Sequence, residues 1–425
     1  MGLPLVQLTT ERRRSIPRTD DRRVTFLGLG VSAAFLAAAL LSGLLPEGVR
    51  HGLWLPIHLA LAGAASTAVA AVLPFFTAAL AVAAPVDHRV RLVAILAIAG
   101  GAALVTSGLA VGVTWLAVGG GLAYLAGVIL VAYVAFTPLR GALGPQRPLI
   151  TRAYRAALLY VAVGVVLSTA FLAGTPVVVE HWARLKPAHA WLDLVGFLSL
   201  VVVATMLHLS PTVVGTRIRP QASARVSVVA LAVGAPVTAL GLAMANAPLI
   251  ILGAIATVVA SIALTVHAVS VERERGPWTT DPGWHRFASW SLVLGPIWFA
   301  VGVAIALARF VVTGADPSAW DVTLIAPALI VGWIVQVLVG SWTHLLPAIG
   351  PGGPVAHGRQ RAILGSVATS RVIALDVGVA LTTVGILGGA GASWLVGGGL
   401  ALAALSIAVS IGLAGRAMWV GRAGL

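Results

Sequence analysis

Hydrophobic positions along the chain fall in long runs, separated by short segments that contain Arg, Pro and Gly. Twelve of these runs have about 20 residues or more, enough for a helix to cross ~30 Å of hydrocarbon. Lipid leaves no partner for an open sheet, and no run alternates as barrel strands do, so we predict an all-α polytopic bundle. The predicted spans are 24–45, 54–84, 90–110, 113–137, 156–174, 189–214, 226–245, 249–270, 289–312, 322–349, 371–391 and 394–415.

Composition supports a membrane protein and narrows its chemistry. Hydrophobic residues make up 59% of the 425 residues and charged residues only 9%, against about 25% charged in soluble domains. The chain has no Cys, which excludes disulfides, iron–sulfur clusters, thiolate metal sites and Cys nucleophiles. Any metal chemistry must therefore use His and carboxylates.

The basic residues predict the orientation of the bundle. Of the 27 Lys and Arg residues, 23 lie in the N-terminal tail and the even-numbered connections, and the exceptions are Arg50, Arg184, Lys186 and Arg309. The positive-inside rule then places both termini in the cytoplasm of a multi-pass plasma-membrane protein. We predict a tail over 1–23, one transmembrane domain over 24–415 and a tail over 416–425. The formal charge of +14 is explained by topology, so the lipid bilayer is the expected partner and nucleic acid is not.

Spans two, six and ten end alike. Each closes on a Pro corner near the cytoplasmic side, at Pro74, Pro211 and Pro347, and the last two are preceded three residues earlier by His208 and His344. A recurrence every four helices predicts three four-helix units, each contributing its last helix to a shared centre.

The pattern of the sixth span resembles that of a known membrane module. The sixth span, with a His, a Gly and Pro211-Thr212 ahead of Arg217, resembles the twelve-helix membrane module that actinobacteria carry beside multicopper oxidases and copper nitrite reductases. That module is more distantly similar to NnrS proteins and to heme-copper oxidase subunit I, whose three arcs of four helices also end on helices two, six and ten. The resemblance implies a heme-copper-oxidase-like bundle, a heme b or copper cofactor, and a copper oxidase or nitrite reductase partner.

The sequence departs from the oxidases at their reaction centre. His58 follows the interfacial Trp54 by four residues, where the oxidases place a heme ligand. The oxidases also carry His-x-x-x-Tyr on helix six, a His-His pair after helix seven and His-x-His on helix ten, and this sequence has none of them. Oxygen reduction at a binuclear centre is therefore not expected.

The candidate cofactor site lies on the outer side of spans two and six. His58 and His189 can supply imidazole ligands, and Asp193, one turn beyond His189, can orient that ring. The alternative is that both histidines are interfacial residues with one wet end. Gly63 and Gly196 follow them and leave room for a planar group or for a neighbouring helix.

A second histidine pair, His208 and His344, lies on the inner side. Each can hydrogen-bond the carbonyl that the following Pro leaves without a donor, or each can belong to an inner metal site or a proton relay. Asp376 is expected to pair with Arg371, while Gln336 and Thr343 are expected to line the interior of span ten.

The sequence thus favours a redox-associated membrane protein with a heme or copper site on spans two and six. A twelve-helix secondary transporter and a cofactor-free assembly subunit remain the alternatives. No catalytic residue is assigned, because no nucleophile or acid–base set is present in the sequence.

Overall fold

The computed structural model describes residues 18–142, 148–219, 221–276, 284–350 and 353–422. Within these ranges, twelve helices are long and apolar enough to cross a membrane, and no strand occurs. The predicted all-α bundle of about twelve spans is therefore confirmed. The helices are α1 (Asp20–Ser42), α2 (Trp54–Ala81), α3 (His88–Ala110), α4 (Thr114–Gly141), α5 (Pro148–Leu172), α6 (Trp182–Val214), α7 (Ala222–Ala243), α8 (Ala247–Arg273), α9 (Arg286–Thr313), α10 (Pro327–Ile349), α11 (Ala368–Leu387) and α12 (Ala390–Val420).

Several helices are longer than the apolar runs that predicted them. The bounds given above are those of the spanning parts: the helix that contains α1 already begins at Arg18, inside the predicted tail, and the helix of α12 continues to Arg422. A helix can continue beyond the hydrocarbon until its backbone is interrupted. α5 begins at Pro148, because the fixed φ of proline suits the first turn of a helix. The remaining parts of the predicted tails, 1–17 and 423–425, lie outside the described residues.

Helices α2, α6 and α10 form the centre of the bundle. Their most apolar windows are 67%, 78% and 83% buried, whereas those of the other nine helices are 50% buried or less. α2 contacts both α6 and α10 through stretches of π-helix in the N-terminal part of each span, namely Leu59–Ala65, Leu192–Ser199 and Pro327–Val335. Trp333 of α10 donates a hydrogen bond to Ser199 of α6 at 3.0 Å. The other helices surround them, with α4 on α5, α8 on α9 and α12 on α1.

The same backbone contact occurs three times in the outer helices. A Cβ placed on the first glycine of each pair would lie 2.7–2.8 Å from the carbonyl oxygen of the second, which only glycine permits. The pairs join α3 to α4, α7 to α8 and α11 to α12, and they are Gly101 and Gly120, Gly234 and Gly253, and Gly378 and Gly399. Glycine therefore permits close approach of the two backbones at these positions.

A second recurring contact fills the π-helical stretches. Each stretch contains a glycine against which the preceding helix places an aromatic ring. The pairs are Phe35 on Gly63, Tyr160 on Gly196 and Trp298 on Gly332. The missing side chain leaves space for the ring, and these contacts hold α1, α5 and α9 against the three central helices.

One face of the bundle carries most of the arginines and is called here the arginine-rich face; the other is the arginine-poor face. Two arginines on the former are buried within helices. Arg91 of α3 forms an ion pair with Asp21 and hydrogen bonds with Thr25 and Ala71. Both arginines tie consecutive helices together close to the predicted membrane surface, and the second, Arg371, is described with the site residues below.

Candidate functional site

The polar cluster at the arginine-poor face is built from α2, α5 and α6. His58 lies one turn into α2 and stacks on Trp54 with ring centroids 4.3 Å apart. Its Nδ1 is 2.7 Å from the Trp54 carbonyl oxygen. Since a carbonyl only accepts, Nδ1 carries the proton, and the lone pair of the neutral ring lies on Nε2.

His189 of α6 is held in the same tautomer by a different pair of groups. Its Nδ1 is 3.1 Å from the Gly164 carbonyl oxygen of α5 and 3.1 Å from Asp193 Oδ2. Two oxygen acceptors again fix the proton on Nδ1 and leave Nε2 as the basic nitrogen. A carboxylate on the far nitrogen is the arrangement that metal-ligating histidines use to fix ring orientation.

The Asp193 carboxylate fits against α5 because residue 164 is glycine. A Cβ at that position would overlap Asp193 Oδ1, and this overlap excludes every other residue. Asp193 Oδ1 is itself buried without a hydrogen-bond partner. One carboxylate oxygen is therefore used by His189, and the other is an unused acceptor inside the cluster.

His58 lies within electrostatic range of His189 and Lys186, so the two histidines predicted from the sequence lie in the same region of the bundle. Two further side chains extend the cluster inward: the Tyr124 hydroxyl of α4 lies against Ser66 of α2 and within electrostatic range of Asp193. Sequence reasoning missed both. The available signal was weak: Tyr124 is one of two tyrosines in α4, in a chain that has four.

The glycines that follow the histidines do not open toward a planar group. The expected alternatives were a planar cofactor or a neighbouring helix, and Phe35 and Tyr160 occupy the spaces beside Gly63 and Gly196. A cofactor between α2 and α6 would therefore be bound by the imidazole Nε2 atoms and would not lie against the backbone at Gly63 or Gly196.

The donor set limits what the cluster can hold. Among the described residues, no group of three or more His, Cys, Asp or Glu side chains is arranged to hold a metal ion. A closed four-ligand site needs such a group, whereas heme iron takes one or two axial imidazoles and copper also accepts imidazole nitrogen. Two imidazoles are a donor set that heme iron or a copper ion can accept.

The inner histidines lie at the opposite end of the bundle from this cluster. His208 is buried near the arginine-rich end of α6, where its ring meets the edge of Phe76 at 4.8 Å between centroids. His344 lies at the corresponding end of α10. Their predicted roles, as partners of the carbonyls beside Pro211 and Pro347 or as an inner site, stay predictions.

Asp376 does not pair with Arg371, so that prediction was wrong. Arg371 donates to Ser410 and to the Leu364 carbonyl and places its guanidinium 3.9 Å from the Phe287 ring centroid. Five residues along a helix turn two side chains about 140° apart, so the two point to different neighbours. Asp376 instead accepts hydrogen bonds from Trp298 and Gln336.

Thr343 and the central cavity complete the interior. Thr343 bonds the Gly340 carbonyl of its own helix and is not available as a lining donor.

A cavity of about 90 Å³ lies among α2, α6 and α10 on the arginine-rich side of the π-helical stretches. Of its lining side chains only Thr205, Ser341 and Trp342 carry a polar group, and Thr205 is bonded to Tyr154 at 3.0 Å. Such a cavity has too few polar groups to hold an ion or a polar solute.

Comparison with known proteins gives no relative: no family model matches the chain, and no curated protein is similar to it.

Proposed function

We propose that this integral membrane protein is redox-associated and holds a heme b or a copper ion between α2 and α6, with His58 and His189 as ligands. The observation that carries the proposal is the state of the two rings: oxygen acceptors hold both Nδ1 protons and leave both Nε2 lone pairs available. Two interfacial histidines without a ligand role would not be expected to share the Nδ1-protonated tautomer within one polar cluster.

Each neighbour has a defined task in this proposal. Asp193 orients His189 and raises the basicity of its Nε2, while Trp54 fixes the plane of His58 by stacking. Tyr124 and Ser66 provide hydroxyl groups that can carry a proton beside the cluster. When bound, heme or copper would supply one-electron transfer.

The helix contacts support the proposed relationship to heme-copper oxidases. Three four-helix units, α1–α4, α5–α8 and α9–α12, account for the glycine pairs, the aromatic–glycine contacts and the central position of α2, α6 and α10. The missing oxidase motifs argue against oxygen reduction. From the resemblance of the sixth helix we further propose a multicopper oxidase or copper nitrite reductase as partner, and a plasma-membrane location with the arginine-rich face in the cytoplasm.

A twelve-helix secondary transporter is the second candidate, because Asp376 is a carboxylate within a membrane-spanning helix. Two observations weigh against it. The recurring contacts divide the chain into three parts, whereas transporters of this size are commonly built from two repeats. The cavity at the bundle centre is apolar and therefore unsuited to a polar substrate.

Purified protein distinguishes these functions, because only the redox function requires a bound metal. We expect a Soret band, or copper at close to one equivalent per chain, from absorption spectroscopy combined with iron and copper analysis. A transporter or a cofactor-free assembly subunit predicts neither signal, so a preparation folded but free of both metals would contradict the proposal.

A further inference from the structure

A second polar site lies where α9, α10 and α11 meet. Trp298 Nε1 donates to Asp376 Oδ1 at 2.7 Å, and Gln336 Nε2 donates to Asp376 Oδ2 at 3.0 Å. Asp376 is the ninth residue of α11 and Gln336 the tenth of α10. The site is therefore close to the middle of both spans, far from the cluster of His58 and His189 in the chain's other units.

The carboxylate has no counter-charge from its surroundings. α11 packs against α9, α10, α12 and the short turn Val322–Leu324. The charged and titratable residues on these elements, and directly before them, are His285, Arg286, Arg309, Asp321, His344, Arg371, Arg416 and Arg422. All lie toward the ends of their helices or outside them. Among the described side chains, none forms an ion pair with Asp376.

The nearest of these groups are engaged elsewhere. Arg371 donates to Ser410 and Leu364, and Arg286 donates to Thr369. His344 is eight residues beyond Gln336, about two turns toward the arginine-rich end of α10. Two neutral N–H donors are thus the groups that stabilise an ionised carboxylate here, at a depth where an unpaired charge is unfavourable.

Gln336 can form a hydrogen bond with Asp376 in both the ionised and the protonated state of that carboxyl group. Its side chain is fully buried and its Oε1 has no hydrogen-bond partner. An ionised Asp376 accepts from Nε2, as in the structure, whereas a protonated Asp376 needs an acceptor. Turning the carboxamide by half a rotation presents Oε1 to the carboxyl proton in place of Nε2.

We propose that Asp376 is a reversible proton-binding site inside the membrane and that Gln336 follows its protonation by exchanging donor for acceptor. A metal cation is a poorer occupant, because two N–H groups already point at the carboxylate oxygens and would repel it. Trp298 donates in both states and keeps the carboxyl group in place.

Infrared difference spectroscopy on the full-length reconstituted protein tests this site directly. We expect a carboxylic-acid C=O band that grows as the pH is lowered and that is absent from Asp376→Asn. Asp376→Glu should retain a titrating band at a shifted frequency, which keeps the test valid if the asparagine variant folds poorly. The wild-type band should lose its intensity reversibly when the pH is raised again.

Gln336→Leu separates a proton site from a structural hydrogen bond. A hydrogen bond to an ionised group is stronger than one to a neutral group, so loss of Gln336 favours the acid form and should raise the titration midpoint by about one pH unit. Gln360→Leu, which removes another buried glutamine bonded to Ala417, is the matched control and should leave the midpoint unchanged. Three results would overturn the proposal. They are a midpoint that is unchanged in Gln336→Leu, a carboxylic-acid band that is still present in Asp376→Asn, and a midpoint that shifts with the sodium concentration.

Discussion

At the scale of single residues, the cofactor hypothesis depends on how firmly the His189 ring is held. Asp193 supplies one of the two oxygens at Nδ1, and the Gly164 carbonyl supplies the other. Loss of a carboxylate behind a ligating histidine typically weakens metal binding 10–100-fold without abolishing it. We therefore expect Asp193→Asn to weaken binding by about that factor when the cofactor-free protein is titrated with heme or copper.

Asp376→Asn is the matched control for that measurement. It also replaces a carboxylate within a spanning helix, but it lies on α11 rather than in the cluster of α2 and α6. Its cofactor affinity should equal that of the wild type. Equal losses in the two variants would mean that the effect is on folding and not on the ligand.

The pair Arg91 and Asp21 gives a prediction about stability. The Arg91 side chain is only 1% exposed, and removing one partner of a buried ion pair leaves the other charge uncompensated. We expect Arg91→Leu to lower the free energy of unfolding by about 3–5 kcal/mol, measured by denaturant titration in mixed micelles. Adding Asp21→Asn should restore part of the loss; a double variant as unstable as the single one would show that the charge of Asp21 is irrelevant.

Residue identity predicted the members of the site better than their contacts. Imidazole and carboxylate side chains are rare in apolar spans, so His58, His189 and Asp193 stand out in the sequence. Tyr124 and the Gly164 carbonyl do not, because they reach the cluster from α4 and α5 through packing. Asp376 was assigned to Arg371 on sequence distance, although rotation about the helix axis separates the two.

At the scale of helices, small residues decide which backbones touch. Gly120 of α4 faces α3, where an added Cβ would lie 2.6 Å from the Val105 nitrogen, whereas Gly119 faces open space. Gly120→Ala should therefore lower the melting temperature in detergent despite the better helix propensity of alanine. Gly119→Ala should leave it unchanged or raise it slightly. Equal effects of the two substitutions would contradict the glycine contact between α3 and α4.

The sequence predicts the spans but not the π-helical stretches within α2, α6 and α10. An apolar run fixes the length of a helix in lipid, while the hydrogen-bond register inside it depends on what packs against it. Here the rings of Phe35, Tyr160 and Trp298 fill the glycine positions of these stretches. Pi-helical segments are frequent at functional sites, and His58 directly precedes the one in α2, which begins at Leu59.

At the scale of the molecule, the arginine distribution predicts which face lies in the cytoplasm. Ser318, between α9 and α10, and Ser366, before α11, lie on opposite faces and are both exposed. Because the chain has no Cys, single Ser318→Cys and Ser366→Cys variants can be labelled without background. In intact cells we expect an impermeant thiol reagent to label position 318 and to reach position 366 only after permeabilisation; the reverse pattern would invert the topology.

Three four-helix units were predicted from three Pro corners, with the central helix as the last of each unit. The packing contacts do recur every four helices, but they place the central helix second in each unit. Thirty-eight residues separate Gly63 from Gly101, and the same number separates Gly196 from Gly234. The corresponding interval in the last unit, from Gly332 to Gly378, is longer because it contains the additional helix Pro354–Leu364. Pairwise backbone contacts of this kind depend on which helix faces meet, and the sequence pattern alone does not specify them.

The cofactor content of three histidine variants tests the central claim most directly. His58→Ala, His189→Ala and His344→Ala would each be purified beside the wild type and assayed for iron, copper and the absorption spectrum at equal protein concentration. The account predicts that the first two lose the cofactor and that His344→Ala retains the wild-type content, since His344 lies at the other end of the bundle. Loss in His344→Ala alone, or wild-type content in both His58→Ala and His189→Ala, would contradict a site between α2 and α6.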